Sequence, residues 1–218
     1  MRYFWYSNRN FKDKEIFGEI NIKDVWKGSL MGGFRLINRF NRNNSQLYTE
    51  YYRKIRKNWW GYITGNISPG ADFLPMYGLG GGVFRSFGRY ELGSGLRYMK
   101  FKSSEVFLIV PSTIIYLPRN FYHTASLYLN LQRSTFSFLN RLAYKSNKVT
   151  GFASISFGTS SEKLQAGEDF TKYSTLSASV ELEYRISRRI SLGGSIYMEE
   201  REGLYKRYGA EVYGRLWW

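Results

Sequence analysis

The stretch Leu176-Ser177-Ala178-Ser179-Val180-Glu181-Leu182-Glu183-Tyr184-Arg185-Ile186-Ser187 sets an apolar or aromatic residue at every second position and a polar one between. Side chains alternate across an extended strand, so Leu176, Ala178, Val180, Leu182, Tyr184 and Ile186 share one face while Ser177, Ser179, Glu181, Glu183 and Arg185 share the other. Past Arg188-Arg189 the pattern resumes, with Ile190, Leu192, Gly194, Ile196 and Met198 opposed by Ser191, Gly193, Ser195, Tyr197 and Glu199. Two alternating runs joined by a tight turn read as a hairpin whose faces meet different solvents.

The same period extends toward the N-terminus. Val149, Gly151, Ala153, Ile155 and Phe157 oppose Thr150, Ser154, Ser156 and Gly158. Ile16, Gly18, Ile20 and Ile22 oppose Glu15, Glu19, Asn21 and Lys23, and Trp59, Gly61 and Ile63 oppose Tyr62 and Thr64. Read in this way, the 218 residues form about 14 antiparallel strands, in a range of about 12 to 16. Pro111, inside the eighth, predicts a bulge or kink there. No window reaches the roughly 18 apolar residues of a membrane-spanning helix, since Val106 to Leu117 is broken by Pro111, Ser112 and Thr113. The opening MRYFWYSNRN has no export-signal pattern, so any such signal is expected upstream or already removed.

Connections alternate in length. Short ones fall near Lys27-Gly28, Lys57-Asn58, Gly88-Arg89, Pro118-Arg119, Ser146-Asn147 and Arg188-Arg189; most of the others, such as residues 8–14, 68–75 and 160–173, are longer. Short turns at one rim and longer loops at the other describe an outer-membrane barrel, and only a closed barrel places strands in lipid without orphaned edges. Aromatics beside the short turns (Trp26, Trp59, Trp60, Phe87, Tyr90, Tyr116, Tyr144, Tyr184, Trp217) are predicted to form an interfacial girdle. The alternation of Tyr208, Ala210, Val212, Gly214 and Leu216 before Trp218 has the form of a C-terminal barrel-assembly signal. The expectation is an all-β, antiparallel transmembrane barrel in the bacterial outer membrane, one domain over residues 1–218, with short periplasmic turns, longer extracellular loops and both termini in the periplasm.

One pattern in the chain carries a family resemblance. Ser68-Pro69 and Phe73-Leu74-Pro75 lie in a loop, Gly95-Leu96-Arg97-Tyr98 in the next hairpin, Tyr116 before a turn and Gly158-Thr159-Ser160 before a long loop. In these pieces, spread over most of residues 1–218, the chain resembles the YaiO family of outer-membrane β-barrels. The resemblance implies an outer-membrane location and a barrel that, in longer relatives, follows a periplasmic helical-repeat segment. It offers no settled catalytic set to carry over.

Composition narrows the chemistry. There is no cysteine and His123 is the single histidine, which removes thiolate sites, multi-histidine metal centres and most histidine-based catalysis, so neither metal nor other cofactor is expected. In His123-Thr124-Ala125-Ser126 the histidine and serine stand three apart and point to opposite faces, unlike the H-x-S of barrel lipid A deacylases. A structural His123 on the lipid side is the plainer reading, and no catalytic residue is assigned.

Two sets of charges remain. Glu19, Arg35, Arg39, Glu50, Arg97, Glu181, Glu183, Arg185, Glu199, Arg207, Glu211 and Arg215 are expected to line the lumen, where paired acids and bases make cross-strand ion pairs more often than a glycosidase acid and base. Lys27, Lys57, Arg89, Arg119, Lys148, Arg188 and Arg189 are expected to form a basic periplasmic rim; counted over all residues beside the short turns, 13 bases against two acids, that end holds +11 of the net charge of +15. Such a rim attracts anionic phospholipid head groups, or gathers an anionic polymer or an acidic periplasmic partner. Nucleic acid is not expected as a partner, since no binding motif is present and the apolar faces would go unexplained. The reading is a porin-like channel or export port for a glycan-type polymer, with outer-membrane lipids, an anionic glycan and a periplasmic helical-repeat or secretion component as partners. The competing classes are a lipid A or phospholipid-modifying enzyme and a plugged barrel serving as anchor or receptor.

Overall fold

A hairpin with one apolar and one polar face leaves its outer strands unpaired, and repeating it round a circle removes both edges. The computed structural model describes residues 1–6, 9–39, 42–162 and 171–216. It contains β1 (Arg2–Tyr6), β2 (Arg9–Val25), β3 (Gly28–Arg39), β4 (Arg42–Arg56), β5 (Trp59–Ile67), β6 (Tyr77–Phe87) and β7 (Tyr90–Lys100). These are followed by β8 (Glu105–Tyr116), β9 (Phe121–Asn130), β10 (Thr135–Lys145), β11 (Val149–Glu162), β12 (Thr171–Arg185), β13 (Ile190–Arg201) and β14 (Tyr205–Leu216). Every strand pairs antiparallel with its sequence neighbours, and β1 pairs with β14, closing a barrel of 14 strands.

Burial runs opposite to that of a water-soluble protein. On the outside, Ile20, Leu47, Ile63, Leu79, Ile196 and Val212 are 61–71% exposed, and similar side chains circle the whole wall. On the inside, Asp13, Glu15, Glu183, Ser191 and Glu211 are buried. An apolar belt of this extent is stable only against lipid, and the polar interior is stable only because cross-strand partners satisfy it.

Several strands run further than their sequence signals. β11 and β12 pair out to Glu162 and Thr171, and β2 begins at Arg9, within stretches whose polar composition reads as loop. Backbone pairing needs no apolar face once a ladder stands beyond the membrane, so alternation underestimates strand length there. Pro111 also departs from expectation. The β7–β8 register runs through Ser94↔Pro111 unbroken, and the β8–β9 register is the same on either side, from Ile109↔Leu129 to Ser112↔Ser126. The proline lacks an N–H and so interrupts the ladder toward β9, but it adds no residue and therefore no bulge.

The girdle is smaller than predicted. Trp26, Trp59, Phe87, Tyr90 and Tyr184 are exposed at the short-turn end. Trp60 instead faces the lumen, where its indole N–H donates to Glu91 at 2.8 Å and its ring stacks on Phe84 at 4.2 Å. Tyr116 shares the lumen face with Ser112, which bonds Ser126 across the ladder. Adjacent residues of a strand cannot both face lipid, so the Trp59-Trp60 pair splits between the two sides. Trp217 lies outside the described residues.

Lumen-facing glycines let the aromatics lie flat on the wall. A Cβ on Gly93 would stand 2.4 Å from the Phe84 ring, and one on Gly95 would meet the Tyr62 hydroxyl at 2.8 Å. Gly93→Val is expected to force Phe84 off Trp60 and to destabilise the barrel by about 1–3 kcal/mol, as overpacking does. A urea unfolding midpoint equal to wild type would contradict this packing.

Candidate lumen and basic rim

The lumen-facing charges fall into two sets on neighbouring strands. In the first, Arg2 on β1 lies between Glu211 of β14 at 2.8 Å and Glu15 of β2 at 3.4 Å, with Arg35 of β3 3.8 Å from Glu15. Further along, Arg39 stands 3.5 Å from Asp13, whose carboxylate also accepts the Tyr6 hydroxyl at 2.6 Å. The second group runs along β12–β14. Arg207 bonds Glu199 at 2.6 Å, Arg215 bonds Glu183 at 2.7 Å, and Ser191 donates to Glu183 at 2.6 Å. Tyr213 donates to Glu181 at 2.7 Å, and Arg201 pairs with Glu199.

The remaining expected residues have further partners. Glu19 accepts from Tyr48 at 3.0 Å and Glu50 from Tyr52. Arg97 approaches the Tyr128 ring at 5.9 Å, and its Nε has no hydrogen-bond partner among the described residues. Arg185 pairs across the ladder with Ser191 at the short-turn end. Sequence reading missed Arg2, Asp13 and the tyrosines that complete the acids. The signal for Arg2 was present in its alternation with Phe4 and Tyr6, but aromatics on both faces of Arg2-Tyr3-Phe4-Trp5-Tyr6 hide the phase.

Hydroxyls fill the wall between the two groups. Ser154 and Ser179 pair at 2.9 Å, Ser156 and Ser177 at 2.6 Å, on adjacent β11 and β12. They face a chamber of about 330 Å³ lined also by Arg2, Phe4, Arg141, Glu181 and Glu211. At the far end from the short turns, the β5–β6 loop, residues 68–76, folds against the lumen face of β4. Gln46 donates to the Ser68 hydroxyl at 3.1 Å, while Asn44 Oδ1 accepts from the backbone N–H groups of Asp72 and Phe73 at 3.0 and 3.2 Å. Ser68 and Ala71 are buried there, and Asp72 lies within 3.8 Å of both Arg42 and Lys102.

Lys27, Lys57, Arg89, Arg119, Lys148, Arg188 and Arg189 all occupy connections at the opposite end. Two of them sit on left-handed backbone, Lys27 at φ 62° and Arg119 at φ 60°, where a side chain costs about 1 kcal/mol relative to glycine. His123 faces outward, its Nε2 3.2 Å from Asn140 Oδ1, while Ser126 faces the lumen. Among the described residues, no three metal-ligating side chains cluster.

A closed barrel with an apolar outside and a charged, hydroxyl-rich inside is an outer-membrane β-barrel of porin-like build. The family model described as the YaiO membrane beta barrel domain matches residues 3–163, and the chain belongs to that family. No curated protein matches the sequence. Among solved structures, the Acinetobacter baumannii outer membrane protein Omp33 is similar in fold, with a TM-score of 0.60 at 8% identity over 99% of this chain and 95% of that one. The KdgM porin in complex with disordered oligogalacturonate gives a TM-score of 0.49 at 8% identity, over 100% and 97%.

Arg2→Met should leave Glu15 and Glu211 without their shared cation. The expected cost is about 2–3 kcal/mol, less than for a fully buried pair because Arg2 keeps 32% side-chain exposure. Adding Glu211→Gln should restore part of it in the same urea titration; a double variant less stable than Arg2→Met would contradict the pairing.

Proposed function

We propose that this barrel is an outer-membrane channel for a glycan-type anionic polymer, with the short turns in the periplasm and the basic rim as its entry. The observation that carries the reading is the uninterrupted polar track on β11–β14. It runs from Arg215, Glu183 and Ser191 near the short turns, past Glu181, Tyr213, Ser179 and Ser154, to Glu199 and Arg207 near the other end. A scaffold needs no such track, since apolar side chains of similar volume stabilise an interior at least as well as buried ion pairs. Hydroxyls and tyrosine rings along a groove suit a polyhydroxylated chain, and the chamber of about 330 Å³ is lined by serines, arginines and glutamates that can bond its hydroxyls.

The lumen acids and bases largely neutralise one another, so charge selection falls to the rim. Lys148, Arg188 and Arg189 focus field at the mouth and raise the local concentration of an anionic polymer. Outer-membrane lipids surround the wall, and a periplasmic helical-repeat or secretion component delivers the polymer to the rim. A second reading, a plugged anchor or receptor, draws on the β5–β6 loop folded against β4.

Planar-bilayer conductance of the refolded chain separates the two. Steady conductance with anion preference is expected, and Arg188→Glu with Arg189→Glu should reduce that preference several-fold at low salt and less at high salt, where screening shortens the field. A folded barrel without conductance would overturn the channel in favour of the plug. Unchanged selectivity in the double reversal would remove the rim from the mechanism.

A further inference from the structure

The outer wall carries a groove of about 720 Å³ that crosses the strands instead of following them. Ladder pairing traces its two rows. One passes from His123 through Leu142, Ala153, Val180 and Ile196, the other from Asn140 through Ile155, Ala178, Met198 and Tyr208 to Trp5. Leu142, Ile155, Val180 and Ile196 form exposed walls, while Ala153 and Ala178 leave the floor low. The floor reaches backbone, since Ser154 and Ser179, whose hydroxyls face the lumen chamber, also line the groove.

The groove has polarity along its length. His123 lies just inside the short-turn end of β9, and Trp5 stands near the far end of β1, its ring stacked on Tyr208 at 6.2 Å. From β9 to β1 through β14 are six strand spacings of about 4.8 Å, hence a path of about 29 Å. With strands tilted by roughly 40°, that path climbs through most of the apolar band. One acyl chain, which spans about half of the roughly 30 Å hydrocarbon core, fits well within it.

The low end is chemically distinct. His123 and Asn140 are a polar pair on an otherwise apolar lipid-facing surface, where unsatisfied donors are costly. With Nε2–H donating to Asn140 Oδ1 at 3.2 Å, the Asn140 amide N–H groups remain to donate outward. His123 lies one outward position deeper than the Phe121 and Tyr144 rings, which pack at 5.0 Å and mark the membrane interface, and Asn140 lies two positions deeper. Ester carbonyls of a phospholipid are the nearest acceptors above that depth, since the hydrocarbon itself offers none. Beyond them, on the adjacent turns, stand the exposed Arg119 and Lys148.

We infer that this groove binds one anionic phospholipid, its phosphate at Arg119 and Lys148, an ester carbonyl at Asn140 and one acyl chain laid across Ala153 and Ala178. On the orientation proposed above, the lipid belongs to the inner leaflet. Bound there, it fills the depression over Ser154 and Ser179 and satisfies the polar pair.

The full chain in symmetric liposomes carrying phosphatidylglycerol with a diazirine-tagged acyl chain tests this. Photolabelled peptides should concentrate around Ala153 and Ala178 rather than Leu47, Ile63 and Leu79, by about fivefold, the factor that one net hydrogen bond supplies. His123→Leu with Asn140→Leu should abolish the enrichment, and phosphatidylethanolamine with the same tail should show less. Even labelling round the wild-type barrel, as for annular lipid only, would overturn the site. Enrichment that survives the double substitution would overturn the Asn140 contact, and equal enrichment with phosphatidylethanolamine would overturn the anionic head group. Symmetric liposomes present the same lipid at both ends, so none of these outcomes depends on orientation or on conductance.

Discussion

Backbone amides in lipid have no water to fall back on, and the rest of the structure follows from that constraint. Each strand in the wall must bond a neighbour on both sides, which forces closure of β1 on β14. Closure then fixes two faces for the whole chain, one in hydrocarbon and one around an enclosed axis. The parity of each strand is the same decision repeated: Ile20 outward and Glu19 inward, Leu182 outward and Glu183 inward.

An enclosed polar face raises a second problem, the cost of desolvated charge. The barrel meets it by placing opposite charges on neighbouring strands, so that Arg2 serves Glu15 and Glu211 together and Glu199 serves Arg201 and Arg207. Tyrosine and serine hydroxyls occupy the remaining lone pairs, as Tyr6 does for Asp13 and Ser191 for Glu183. The result is an interior that is polar yet close to neutral, leaving the excess positive charge to the connections at one rim. The outer face shows the converse economy, where small residues such as Ala153 and Ala178 leave a depression bounded by the one histidine.

Alternation made most of this legible. It gave the barrel, a strand number of about 14 and the outward histidine, because a period of two is a local property of the chain. It read less well where both faces are aromatic, as in Arg2 to Tyr6, or where polar residues continue a strand beyond the membrane, as near Glu162. Trp60 and Tyr116 show the same limit, since proximity to a turn says nothing about the side of the wall a ring occupies.

The sequence by itself determined which side chains share a face, since that depends only on parity along each strand. The tertiary structure decided which residues on different strands meet. Register and closure bring Arg2 to Glu211 across 209 positions of chain, set the β5–β6 loop on Asn44 and Gln46, and align Ala153 with Ala178 into one groove. Those contacts arise from the stagger between strands that closing the barrel imposes, and a stagger leaves no mark in the alternation of any one strand.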